Sequence, residues 1–209
     1  GDYDTPQVLR AMRKLKMPKI LVIGNHDYSY VNEWGTGPNR AYELQGYFDV
    51  WKQHKFEKRL IKLAAFKTIE HKSEKVGIVV DEEIDGRKIC YVHGSIIEDE
   101  NPKLSFLSYL STRLSRWKLI EKKLTFKKMR EKDYWILFRG HDHAPQILSQ
   151  SMSTPYDLRD AEEAEGTIQL RKDRRYIINP GAFVNEYMNP SCWAIFDSKK
   201  STITFKDLR

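Results

Sequence analysis

The chain has 209 residues, a net charge of +7 and 40% hydrophobic residues, which suits one globular domain over residues 1–209 whose core needs no covalent staples. Two cysteines, Cys90 and Cys192, are too few for a disulfide framework or a thiolate zinc site. No apolar stretch approaches the length of a membrane span, so the composition excludes a membrane protein and favours a reducing cytoplasm.

Four segments share one pattern, in which a short apolar strand ends and a polar residue able to bind a ligand follows at once. Continuous apolar runs rich in Ile, Val, Tyr and Phe predict strands that are buried on both faces. The four segments are KILVIGNHD (19–27), KICYVHGS (88–95), YWILFRGHDH (134–143) and RRYIINPGA (174–182).

The remaining sequence predicts helices and hairpins around these strands. A stretch of helical composition follows the first strand, and VVDEEIDGRKICYV predicts a hairpin that turns at Asp85 and Gly86. Acidic residues 157–166 are typical of a solvated, helix-prone connection, and CWAIFDSKKSTITF predicts a final hairpin. Strands mixed with helices indicate the α/β class.

The loops that follow the four strands carry the side chains of greatest chemical interest. In open α/β sheets the loops at the carboxyl ends of the strands form the ligand crevice, so these side chains are expected at one edge. Imidazole, carboxylate and amide oxygen together suit first-row metals and leave coordination positions open for water and substrate. The residues concerned are Asn25, His26, Asp27, His93, His141, His143 and Asn179.

The GHDH motif places two imidazoles on either side of Asp142. Such a pair is either a solvated turn or half of a metal site. In an extended segment, His141 and His143 would point the same way and Asp142 would point away, because side chains alternate with period two.

A strongly basic segment precedes that motif, with ten Lys and Arg against two Glu between Lys103 and Lys132. It predicts a helical insertion at about 99–133, most simply an amphipathic cap helix whose charge serves solvation. The alternative is a positive lip that attracts polyanionic substrates. The apolar residues at helical spacing are Leu107, Leu110, Leu114 and Trp117.

The order GD, GNHD, a strand ending in HG and then GHDH is similar to the calcineurin-like metallophosphoesterase superfamily. Asn-Pro-Gly after a late strand resembles its small prokaryotic phosphodiesterase branch. The resemblance implies an α-β-β-α sandwich that hydrolyses small phosphate esters, diesters rather than monoesters, with nucleotides among the candidate substrates. It also implies attack by a hydroxide that bridges two divalent metals. Manganese is the first choice, and iron, cobalt, nickel and zinc are alternatives.

Carried over residue by residue, the resemblance implies a set of metal ligands. Asp2 matches the carboxylate shared by both metals. Asn25, His93 and His141 match the other protein ligands of the second metal, and His143 matches a ligand of the first.

The resemblance also implies which residues act on the substrate. Asn25 and His26 would contact the phosphate, and His26 would donate a proton to the leaving group while Asp27 orients it. Asn179 and Gly181 either contact the substrate or form the turn that ends a strand.

The front of the chain departs from the superfamily pattern. An Asp-x-His strand normally supplies two more ligands to the first metal, and this motif does not occur in the sequence. The first site would keep only Asp2 and His143. We expect two strands and a helix ahead of Gly1, because a sheet without its central strands would expose an apolar edge.

Two other classes of function stay open. A scaffold could keep this fold without catalysis, although the presence of His26 and Asp27 argues against it. A nuclease would use the basic segment to follow a nucleic-acid backbone, and its binding would weaken steeply with salt. No dedicated nucleic-acid motif accompanies the charge.

Overall fold

The computed structural model describes residues 6–24, 59–60, 63–64, 67–71, 73–94, 96, 115–154, 157–161, 166–182 and 191–207. Two helices and twelve strands lie within these residues, a mixed α/β arrangement. The helices are α1 (Pro6–Lys14) and α2 (Ser115–Lys132). The first strands are β1 (Lys19–Val22), β2 (Ile69–His71), β3 (Glu74–Gly77), β4 (Val79–Ile84), β5 (Arg87–Val92) and β6 (Tyr134–Phe138). The later strands are β7 (Gln146–Ser151), β8 (Leu158–Ala161), β9 (Thr167–Gln169), β10 (Arg174–Asn179), β11 (Cys192–Asp197) and β12 (Thr202–Asp207).

The chain divides into two compact units, one within residues 1–80 and 99–105, the other within 81–98 and 106–209. The prediction of one domain over 1–209 therefore stays a prediction. Neither described helix combines the length and apolar character that crossing a bilayer requires.

The first unit contains a three-stranded sheet in the order β1-β3-β2. β1 runs parallel to β3, and β2 runs antiparallel to it. The guanidinium of Arg13 donates to both carboxylate oxygens of Glu74, at 3.0 and 3.1 Å, and so fixes α1 against β3. The strand predicted before GNHD is confirmed, because β1 spans Lys19–Val22.

The second unit contains a six-stranded sheet in the order β4-β5-β6-β10-β7-β8. β5, β6 and β10 lie side by side and parallel, so three of the four predicted strands end at one edge. The expectation that all four belong to one sheet is wrong, because β1 pairs with β3 in the other sheet. The helix α2 packs on β6, which follows it directly in the chain.

Both predicted hairpins are confirmed. Asp85 and Gly86 have φ values of 50° and 73°, the positive pair that a two-residue turn of type I′ requires between β4 and β5. β11 and β12 pair antiparallel around a short turn, and β9 completes their three-stranded sheet.

The core of the second unit joins the six-stranded sheet to the β11-β12-β9 sheet. Side chains from both sheets are almost fully buried in one cluster, as expected where two sheets share a face. The two cysteines, Cys90 and Cys192, are buried, and neither forms a disulfide. The buried cluster contains Ile89, Trp135, Ile136, Ile147, Leu170, Tyr176, Ile178, Ile203 and Phe205.

The first part of the acidic segment 157–166 differs from the solvated connection that the sequence predicts, and residues 162–165 lie outside the described residues. Residues Leu158–Ala161 form β8, which pairs antiparallel with β7. Asp157, at its start, accepts a 2.8 Å hydrogen bond from the buried guanidinium of Arg174, which also donates to Ser149. This contact holds the start of the acidic segment against the sheet. The local sequence does not predict it, because Arg174 lies 17 residues after Asp157.

The Asn-Pro-Gly turn after β10 requires glycine at its last position. Gly181 has a φ of 89°, and a Cβ there would lie 1.9 Å from the Sγ of Cys192. That thiol donates to the carbonyl oxygen of Pro180, and the Cys192 amide donates to the carbonyl oxygen of Ala182. The turn and the start of β11 therefore pack with no space for a side chain between them.

We predict that Gly181→Ala lowers the free energy of unfolding by about 3 kcal/mol or more, because backbone strain and a steric clash add. Gly166→Ala is the matched control, since φ is also positive (65°) but nothing lies within 4 Å; strain alone should cost about 1 kcal/mol there. Urea unfolding measures both. Adding Cys192→Ala to Gly181→Ala should recover part of the loss, and equal costs at the two glycines would contradict this account.

The Asp157 carboxylate should make stability depend on pH. The hydrogen bond from Arg174 is the main cause that holds the pKa of Asp157 below its ordinary value, against partial desolvation. A lowered pKa in the folded state adds stability that is fully present above the unfolded value of about 3.9 and is lost as pH falls through the folded value.

We predict that Asp157→Asn lowers the thermal midpoint by several degrees at pH 7, because Arg174 loses its counter-charge. The difference from the unaltered protein should shrink below a pH of about 4, where Asp157 of the unfolded chain becomes protonated and the stabilisation from its lowered folded-state pKa is progressively lost. Thermal unfolding between pH 3 and pH 7 measures this. Asp85→Asn, an equal loss of charge in an exposed turn, is the control; a gap that stays constant across this range would contradict the assignment.

Candidate functional site

The described site residues lie on two loops at the carboxyl edge of the six-stranded sheet. His93 follows β5 directly, and His141 and His143 follow β6. The other predicted site residues, Asp2, Asn25, His26 and Asp27, lie outside the described residues.

Strand register brings these two loops together. Tyr91 of β5 pairs with Phe138 of β6, and their rings stack at 5.4 Å with an interplanar angle of 14°. Beyond this pair, the Gly140 amide donates a 2.9 Å hydrogen bond to the carbonyl oxygen of His93. The parallel ladder thus continues for one more link, and it places the two histidine loops side by side.

The imidazoles of His93 and His141 are neighbours, with centroids 5.3 Å apart and planes at 76°. Two imidazoles bound to one ion at about 2.1 Å, with a near-tetrahedral angle between them, have centroids about 5 Å apart. The pair therefore fits two positions of a shared metal. Within the described part of the chain, no group of three or more His, Cys, Asp or Glu could hold an ion, so the fit rests on these two rings.

The backbone around His141 corrects the expectation of an extended segment. His141 has a φ of 73°, and the Asp142 amide donates to the carbonyl oxygen of Gly140 at 2.9 Å, the geometry of a γ-turn with positive φ. His143 also has a positive φ, 54°. Strand alternation therefore does not orient these rings. A tight turn does, in a region of φ that residues other than glycine seldom adopt.

The buried side chain of Arg139 holds this turn in place. Arg139 donates through one guanidinium nitrogen to Glu121 of α2, at 2.9 Å, and through the other to the carboxylate of Asp142. The side chains of Arg139 and Glu121 are only 10% and 12% exposed. Asp142 therefore faces Arg139.

The charges of this cluster are mutually dependent. Burial lowers the pKa of Arg139, but the carboxylates of Asp142 and Glu121 outweigh it, so the net pKa is raised. Arg139 therefore stays cationic, and the two carboxylates are the counter-charges that allow it to be buried. Helix α2 and the histidine turn are joined through this one side chain.

Asn179, at the end of β10, supports the same turn. Its amide nitrogen donates to the carbonyl oxygen of Gly140 at 3.3 Å, and its side-chain oxygen accepts from the Gly181 amide at 2.9 Å. The residue is only 2% exposed. These contacts favour the turn interpretation of Asn-Pro-Gly over direct contact with substrate.

The described half of the basic segment is a packed helix that reaches the histidine edge. Thr125, Phe126 and Met129 are fully buried, while Lys127 is exposed and lies 3.9 Å from Glu131. This agrees with a cap helix whose lysines are solvated. The alternative of a positive lip stays a prediction for this segment.

Sequence reasoning missed Arg139 and Glu121. The sequence contains one signal for Arg139, which stands between a run of five apolar residues (134–138) and GHDH. A cation at the end of a buried strand requires a carboxylate nearby. The partner, 18 residues earlier, could not be identified without the helix that delivers it.

We predict that Arg139→Met lowers the free energy of unfolding by about 3–5 kcal/mol, because it leaves two carboxylates close together and largely buried without a cation. Arg171→Met is the matched control, since Arg171 and Asp173 form an exposed pair at 2.6 Å, and little change is expected there. Urea unfolding at neutral pH measures both.

The triple variant Glu121→Gln, Arg139→Met, Asp142→Asn separates charge from packing. It removes all three charges and should regain most of the stability that Arg139→Met loses. If the triple variant is as unstable as the single one, the cost comes from lost packing and the account of paired charges is wrong.

Comparisons with known proteins agree with the geometry. Residues 1–201 match the calcineurin-like phosphoesterase superfamily domain. An uncharacterized protein of Methanocaldococcus jannaschii is 24% identical over 184 residues, which are 86% of this chain and 60% of that protein. The chain therefore spans about 60% of the length of this curated relative.

Two solved structures share the fold. A metallophosphoesterase from Sphaerobacter thermophilus gives a TM-score of 0.59 at 19% identity, covering 97% of this chain and 71% of that one. A hypothetical protein from Pyrococcus horikoshii OT3 gives 0.51 at 11% identity, covering 98% and 67%. The predicted α/β class is confirmed. Because the superfamily domain matches nearly the whole sequence, the chain belongs to the calcineurin-like phosphoesterase superfamily.

Proposed function

We propose that this protein hydrolyses phosphate esters with the help of divalent metal ions, and that phosphodiesters are its preferred substrates. The observation that carries the proposal is the pair His93 and His141, whose ring centroids lie 5.3 Å apart on adjacent loops of a calcineurin-like phosphoesterase chain. Two neutral imidazoles at this separation are suitable donors for a first-row metal.

The proposed ligands divide between two ions, as is general in this superfamily. Asn25, His93 and His141 would hold one ion, His143 would hold the other, and Asp2 would be shared. When bound, the two ions supply Lewis-acid chemistry that neutralises phosphoryl oxygens and makes water a competent nucleophile near neutral pH. Manganese is our first choice, and mixed nitrogen and oxygen donors also accept iron, cobalt, nickel or zinc.

The remaining chemistry falls to residues of the GNHD motif. Asn25 and His26 would contact the substrate phosphate. His26 would protonate the departing alkoxide, because an alcohol of high pKa leaves poorly as an anion, and Asp27 would hold the imidazole in place. The order of the motifs along the chain supports these roles.

The preference for diesters rests on the similarity of Asn179-Pro180-Gly181 to the small prokaryotic phosphodiesterase branch. A small-molecule ester, such as a nucleotide derivative, is the proposed substrate. The helix α2 packs one side against the protein and exposes Lys127 to solvent, and neither feature favours a nuclease.

We predict that His26→Ala lowers turnover by about a hundredfold or more for esters of poor leaving groups, with little loss of metal, because a general acid is not a ligand. The loss should be smallest for p-nitrophenyl esters, whose leaving group hardly needs a proton. Steady-state rates on bis-p-nitrophenyl phosphate and on an alkyl diester, with metal content by mass spectrometry, measure both effects.

His93→Ala should instead lose metal together with activity. His71→Ala, on β2 and outside the proposed site, is the matched control and should retain both. Equal losses by His26→Ala across leaving groups of very different pKa would refute the acid role. Full metal content in His93→Ala would refute its role as a ligand.

A further inference from the structure

A polar cavity lies at the opposite edge of the six-stranded sheet from the histidines. Its volume is about 380 Å³. It opens where β5 and β6 begin, and every residue that lines it belongs to the second unit. The charged and aromatic side chains around it are Glu83, Arg87, Lys88, Asp133, Trp135 and Lys172.

Two nitrogen donors of these lining residues are buried without an acceptor among the described residues. They are Nη1 of Arg87 and Nε1 of Trp135. Trp135 is only 5% exposed, so water reaches little of its indole ring. A donor removed from water and left without an acceptor is costly, and in folded proteins such a group commonly marks a bound water, ion or ligand.

The two donors belong to one assembly. The guanidinium carbon of Arg87 lies 4.1 Å from the centroid of the Trp135 ring, in a cation–π contact. Phe196 packs against the same indole, with centroids 6.1 Å apart and planes at 62°. Trp135 and Arg87 thus hold each other in place, and little of the indole surface is free for stacking.

The charge of the cavity is also uncompensated. Among the described residues, no carboxylate oxygen lies within 4.0 Å of an Arg87 side-chain nitrogen. Asp133 already pairs with Arg175 at 3.0 Å. Lys88 and Lys172 add two exposed cations to the same lining. Arg87, Lys88 and Lys172 thus outnumber Glu83 and Asp133 in the lining, which carries an excess of positive charge.

We propose that this cavity binds a small organic oxyanion, a carboxylate or a phosphate ester, which accepts hydrogen bonds from Arg87 and Trp135. An oxyanion only accepts hydrogen bonds, and so complements these two donors, while the lining cations outnumber the lining carboxylates. The volume is at the lower end of the range for small-molecule sites and exceeds the needs of an inorganic ion. The six residues of β5 separate Arg87 from His93 by roughly 20 Å.

The test uses the indole N–H resonance of Trp135 as a local reporter. Trp135→Phe assigns the resonance in the nitrogen–proton spectrum, and the protein is titrated separately with citrate and with inorganic phosphate. We expect a saturable shift of this resonance with at least one probe, and the stronger probe identifies the carboxylate or the phosphate source. The shift should persist in His93→Ala, because the cavity is separate from the proposed catalytic site.

Charge variants establish that the cavity is the cause. Arg87→Gln should weaken binding at least about tenfold, because it removes a charged donor. Lys172→Gln should weaken it less, by a few-fold. Arg159→Gln, the same loss of charge on an exposed residue of β8, should leave the affinity unchanged.

The proposal is overturned if neither probe shifts the Trp135 resonance, or if chloride at equal ionic strength reproduces the shift. Unchanged affinity in Arg87→Gln also overturns it. Should Arg87→Gln fail to fold, the exposed Lys172→Gln decides, and unchanged affinity in that variant is then the refuting result.

Discussion

The parallel pairing of β5, β6 and β10 is the constraint on which the described site depends. Parallel strands in register end level with one another, so the groups that follow them must meet. The Gly140 amide reaches the carbonyl oxygen of His93, and the Arg139 amide reaches that of Ile178. A shift of one residue between β5 and β6 would send alternate side chains to the opposite face and break the stacked pair Tyr91 and Phe138.

Carboxylates neutralise the buried arginines that lie around these paired strands. Arg139 is neutralised by Glu121 and Asp142, and Arg174 by Asp157. Each pair also fixes a chain segment that local sequence leaves undefined, the histidine turn in one case and β8 in the other. Arg87 differs, because it has an aromatic ring beside it in place of a carboxylate. That contrast within one sheet is the physical basis for assigning an external anion to Arg87.

Features that depend on neighbouring residues could be predicted from the sequence. The strands at 19–22, 134–138 and 174–179 follow from apolar runs, and Asp85-Gly86 follows from turn chemistry. Features that depend on distant partners could not. β8 requires Arg174, and the turn at His141 requires Glu121 and Asn179, which lie 20 residues before it and 38 residues after it. Motif order identified the histidines, but tertiary contacts orient them.

The turn at His141 is organised by the protein itself. A residue other than glycine at a φ of 73° is strained, and such strain persists only where the surroundings determine the backbone. Here Arg139 holds Asp142 on one side of His141, while Asn179 holds the carbonyl of Gly140 on the other. The contacts of Arg139 and Asn179 therefore determine the backbone that carries His141. A ligand side chain held in this way is preorganised, and preorganisation lowers the free energy that binding must spend on ordering the chain.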